Sequence, residues 1–193
     1  MRMSCIVGCV IVSLSPRLAE GQMHAMSGTS IHGVLGVLAP TGRHRTVLRD
    51  AFAIGAQGQI GLRPWFALVG GALVAQPGYR APLNGDLTMI QYDLGVELAL
   101  RAASPMMHSA RRRVVPFLGG GVGGRRYAVR EDAATRLSTV AAAYVSAGLE
   151  LAAGRGGLRL ELRDYRSRSE VAPTWRGTQN DVAVLVGIAY HFH

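Results

Sequence analysis

Apolar and polar residues alternate one by one along much of this chain. In "MIQYDLGVELALR", Ile90, Tyr92, Leu94, Val96, Leu98 and Leu100 fall on one face. Gln91, Asp93, Gly95, Glu97, Ala99 and Arg101 fall on the other. A period of two with one apolar face is a half-buried strand, because successive side chains of a strand point to opposite sides. "GLRLELRDY" repeats the pattern, with Leu158, Leu160 and Leu162 against Arg159, Glu161 and Arg163. "AFAIGAQGQIGLR" does so more weakly. The chain finishes on Val182, Val184, Val186, Ile188, Tyr190 and Phe192, all on one face. Segments of strand character cover roughly 30–39, 51–62, 65–76, 88–101, 114–126, 139–152, 157–168 and 180–192. Glycines blur the two faces in the first, third and fifth of these.

The connections add a second pattern. "RP" at 63–64 and "GR" at 154–155 are tight turns, whereas 40–50, 77–87, 127–138 and 169–179 are longer and polar. Short turns on one side and long loops on the other are the habit of outer-membrane barrels, whose strands need about 9–11 residues to cross. The connection at 102–113 falls on the short side but is long.

The first residues read differently. A basic start, "MR", precedes an apolar run over 3–15, too short for the roughly 20 residues of a spanning helix, and then "PRLAEGQ" with small residues at Ala19 and Gly21. This predicts a signal peptide over 1–21 and a mature barrel domain over 22–193. Both cysteines, Cys5 and Cys9, fall inside the signal, so the mature chain carries no thiol through an oxidising compartment. "IVGC" at 6–9 mimics an acylation box but lies in mid-core of the signal.

Charge changes the picture little. All 21 basic residues are arginine and the net charge is +9. The absence of lysine removes the P-loop and the Schiff-base lysine. Export argues against nucleic acid as the partner. Arg43, Arg45, Arg49, Arg80, Arg130, Arg136, Arg166, Arg168 and Arg176 fall in or beside the long loops. Arginine suits bidentate phosphate contacts, so these residues point to outer-membrane lipids, lipopolysaccharide phosphates included.

Signal, strands, alternating loop lengths and the terminal "VLVGIAYHF" together resemble the small eight-stranded outer-membrane β-barrels of the OmpA/OmpX type. The resemblance implies an all-β fold: an eight-stranded antiparallel up-and-down transmembrane β-barrel in the cell outer membrane of a Gram-negative-type envelope; the chain is expected to be monomeric or weakly associated. It also implies that Ile188, Tyr190 and Phe192 form the C-terminal signal read by the barrel-insertion machinery. His193 departs from the pattern, which usually ends on the aromatic. The role expected is structural or surface-interacting; a narrow diffusion pore and a lipid A-modifying barrel hydrolase are the alternatives.

Such a barrel turns its polar faces inward. Asp93, Glu97, Arg101, Glu150, Arg159, Glu161 and Arg163 are therefore expected to form an ion-pair network in the lumen. The turn at 154–155 places Glu150 across from Arg159, where opposite charges favour each other. Little else carries chemistry. "GGGVGG" at 119–124 satisfies G-x-G-x-x-G, but the following "RRYAVRED" has no helical stripe, so close strand approach is the better reading. The histidines are scattered; His191 and His193 share a face and read as an exposed chain end, short of a structural metal site. No G-x-S-x-G is present, and His108-Ser109 falls on the short-turn side. No catalytic residue, metal or cofactor is expected.

Overall fold

In the computed structural model, the described residues are 28–46, 48–79, 86–100, 108–109, 112–131, 134–169 and 177–192. The strands are β1 (Gly28–Pro40), β2 (Ala51–Arg63), β3 (Phe66–Ala75), β4 (Asp86–Ala99), β5 (His108–Ser109), β6 (Arg112–Glu131), β7 (Ala134–Ala153), β8 (Gly156–Ser169) and β9 (Gly177–Phe192). β5 is a two-residue strand folded back on Arg112 and Arg113. The other eight close a barrel. Each pairs antiparallel with its chain neighbour, β4 pairs with β6, and β1 pairs with β9 to shut the ring. Closure leaves no barrel strand with an open edge, so the backbone polar groups are satisfied between strands. No helix among the described residues is long and apolar enough to cross a membrane, which bears on helices alone.

Local chemistry sets the connections. Gly154 adopts φ 61°, a left-handed conformation favouring glycine, in the turn joining β7 to β8. Pro64 and Trp65 turn β2 into β3, with a register irregularity between Gly61 and Arg63. The stretch 127–138, expected as a long loop, is instead mostly paired strand: the β6–β7 ladder runs on to Glu131 opposite Ala134. The reason lies in its residues. Tyr127, Val129 and Thr135 are β-formers, and no glycine or proline interrupts them.

The wall is inverted relative to a water-soluble barrel. Ile31, Leu35, Phe52, Ile54, Leu94, Val122, Val145, Leu160 and Ile188 all stand exposed on the outside. Their strand neighbours His32, Gln57, Asp93, Glu97, Arg125, Glu161 and Arg163 are buried inside. Glycines admit the larger inner rings. Gly95 and Gly121 leave room for Tyr144, and Gly148 for Phe117, where a Cβ would collide with the ring.

The lumen is polar only in part. Its long-loop half is filled by Val34, Leu38, Leu48, Leu73, Leu87, Met89, Val129 and Leu185. Leu48 comes from the β1–β2 connection, which folds over this end through a short 3-10 turn at Gly42–Thr46. That connection is tied down at three points. Leu48 bridges to Tyr79, Arg49 N donates to Gly78 O at 2.8 Å, and Thr41 Oγ1 donates to Asn180 O at 2.6 Å. Apolar side chains thus seal part of the interior towards the long loops, on strands whose inward face the sequence left unassigned as well as on others.

Candidate functional site: the charged lumen

Three arginines organise the polar interior. Arg159 on β8 reaches three carboxylates: Glu97 on β4, Glu150 on β7 at 3.4 Å and Glu161 on its own strand at 3.1 Å. Arg163, two inward positions further along β8, donates to Glu161 at 2.5 Å and to both oxygens of Asp93 at 3.2 Å. Glu161 therefore bridges the two guanidiniums. Tyr165 accepts from Arg163 at 3.1 Å and donates to Asp93 at 3.4 Å. Gln57 Nε2 donates to Glu161 from the opposite wall at 3.3 Å.

A second group lies towards the seal. Arg125 on β6 pairs with Asp181 on β9 and donates from Nε to Gln91 Oε1 at 2.9 Å. At the other end, nearer the short turns, Ser30 on β1 contacts His32 at 2.9 Å and donates to Gln59 on β2 at 3.2 Å.

Each guanidinium also has an aromatic ring beside it. Arg159 lies 3.8 Å from the Phe117 centroid, Arg163 4.7 Å from Tyr144 and Arg125 5.3 Å from Tyr165. A desolvated cation gains about 2 kcal/mol from such a ring. The glycine gaps described above let Phe117 and Tyr144 lie against the wall and face these cations.

Of the residues expected in the lumen, the structure brings together Asp93, Glu97, Glu150, Arg159, Glu161 and Arg163. Arg101 lies outside the described residues. Arg125 and Asp181 were not foreseen, although Asp181 sits on the face of β9 opposite Val182, Val184 and Val186. His191 is a correction. It is not simply a free end, because its Nε2 lies 3.2 Å from Glu150 Oε1 at the short-turn mouth. Among the described residues, five buried carboxylates face three buried guanidiniums. No group of three or more potential metal ligands occurs among them.

Chemically, this arrangement holds charge in place. Leaving one ion without its partner in such an interior costs several kcal/mol, so the groups are fixed by each other. Gly119, Gly121 and Gly124 lie within strand β6, without the strand-to-helix turn that a dinucleotide site requires.

Comparison with solved structures places the fold. Neisserial surface protein A aligns with a TM-score of 0.68 at 14% identity, covering 86% of this chain and 98% of that one. OprG from Pseudomonas aeruginosa gives 0.60 at 12% identity, covering 89% and 99%. The N-terminal barrel of Pseudomonas aeruginosa OprF gives 0.55 at 11%, covering 86% and 98%. No protein-family model and no curated protein sequence matches the chain. The chain thus has the fold of the small eight-stranded outer-membrane barrels.

Proposed function

We propose that this chain is an integral outer-membrane protein with a sealed lumen and a structural or surface-interacting role, and that it performs no catalysis. The observation that carries the reading is the inverted wall: large apolar side chains exposed outside, paired charges buried inside. Exposed apolar area on that scale is foreign to a soluble monomer and suits hydrocarbon. In this reading the short turns face the periplasm and the long loops face outward. Residues 1–21 serve as the export signal, and the aromatic end of β9 addresses the insertion machinery. The closed ring leaves no barrel strand edge for pairing with a second copy, which supports a monomer.

The apolar seal around Leu48 and the arginine ladder below it favour a closed body over a diffusion pore. The test of location is fractionation with gel mobility. Mature protein should sediment with outer membranes and migrate differently before and after boiling. Recovery as a soluble periplasmic monomer would overturn the reading.

A further inference from the structure

The outer wall carries a feature that the lumen does not explain. On β8 the outward face runs Leu158, Leu160, Leu162 and then switches to Asp164, Arg166 and Arg168, all exposed. On β6 the outward face runs Leu118, Val122 and then Arg126, also exposed. Between them, β7 presents Thr139 directly opposite Arg126. The same height on β1 and β9 shows Val37, Ala39, Val182 and Asn180 instead. The arginines are thus gathered on one side of the barrel.

Register brings them close. Ala143 on β7 pairs with Arg166, and Thr139 lies one turn of the pleat beyond Ala141 towards the long loops. Strand tilt shifts equal heights by about one residue per strand, which brings Arg168 level with Arg126 two strands away. Two strand spacings are about 10 Å, within joint reach of two arginine side chains. None of the ion pairs among the described residues involves Arg126, Arg166 or Arg168. Asp164 lies two residues from Arg166 on the same outward face, and Arg126 and Arg168 lie further from that carboxylate along the chain.

We propose that Arg126, Thr139, Arg166 and Arg168 form a site for the phosphate of an outer-leaflet glycolipid. The occupant is a membrane lipid because Arg166 and Arg168 continue the leucine face of β8 towards the long loops, one outward position, Asp164, beyond Leu162. A ligand there would rest its chains on Leu158, Leu160 and Leu162 while its phosphate meets the guanidiniums. Arginine forks match phosphate oxygens two at a time. This inference rests on the membrane reading above.

The test uses full mature chain refolded in detergent micelles, with bound lipid counted by native mass spectrometry. The probes are bis-phosphorylated lipid A and the same lipid A stripped of phosphate. Wild type should bind the phosphorylated form at least about tenfold more tightly, since charge-assisted contacts are lost with the phosphate. The variant R126Q/R166Q/R168Q should lose that preference, and R63Q/R155Q, at the opposite end, should keep it. Heat-dependent gel mobility checks that each protein is folded. Failure of wild type in that check would sink the membrane reading itself. Equal binding of the two lipids by folded wild type would overturn the phosphate site alone. So would equal losses in both variants, or full displacement of lipid by matched free pyrophosphate.

Discussion

Arg159 stacks on Phe117, its guanidinium carbon 3.8 Å from the ring centroid, and the ring in turn occupies the space beside Gly148. A glycine on β7 thus sets the position of a cation on β8 through an aromatic on β6.

Adding one methyl at Gly148 should break that chain of contacts. Its Cβ would meet Phe117 and the Leu160 carbonyl. Overpacking of this kind costs about 1–3 kcal/mol. Gly33 offers the contrast, because nothing lies within 4 Å of its added Cβ. Gly33→Ala should be neutral or stabilising by up to about 1 kcal/mol. Urea unfolding in lipid vesicles measures both, and equal midpoints for the two variants would count against the stacked arrangement.

The ladder should be most sensitive at its shared carboxylate. Glu161 holds Arg159 at 3.1 Å and Arg163 at 2.5 Å, so Glu161→Ala takes one partner from each of two buried cations at once, leaving Arg163 with Asp93 alone among the carboxylates. A loss of about 3–5 kcal/mol is expected. Glu150 sits at the mouth beside His191, and Arg159 keeps Glu97 and Glu161 without it. Glu150→Ala should therefore cost clearly less. The same unfolding assay ranks them, and a reversed order would show that Glu161 is not the keystone.

How much of this was legible in the chain depends on contrast between faces. On β8, Leu158, Leu160 and Leu162 alternate with Arg159, Glu161 and Arg163, so both sides announce themselves. On β1, Val34 and Leu38 face inward while Leu35 and Val37 face outward. Apolar residues on both faces erase the period-two signal, and the apolar seal stayed hidden. The five glycines in 119–124 leave only Val122 to mark a face, which concealed Arg125 just beyond them. Leu48 lies in a connection, where nothing local tells a plug from a solvated loop. Its burial depends on the bridge to Tyr79, a contact that only the closed barrel creates.

The seal and the ladder predict electrical silence. Leu48, Leu87 and Met89 close the loop end, and the arginine ladder fills the base. Wild-type protein in a planar bilayer should give no steady ion current. Leu48→Ala should stay silent as well, because the ladder remains. Stable porin-like steps from wild type would remove the closed-body reading and favour the pore.

The chain end offers a separation of folding from targeting. Phe192 and Tyr190 stand exposed on β9, their rings edge-to-face at 5.1 Å, and Phe192 lies opposite Thr29 on β1. An exposed ring at the rim contributes little packing, so Phe192→Ala should fold into plain lipid vesicles almost as well as wild type, at a cost below about 1.5 kcal/mol. Recognition by insertion machinery would depend on the aromatic itself. Vesicles containing that machinery should therefore accelerate wild type much more than Phe192→Ala. Deleting His193 should matter less than either loss, since the aromatic pair is untouched. Folding time courses of the three proteins by gel mobility, with and without the machinery, give the six rates needed. Equal acceleration of wild type and Phe192→Ala would remove Phe192 from the signal, whereas slow folding of the variant in plain vesicles would make its role structural.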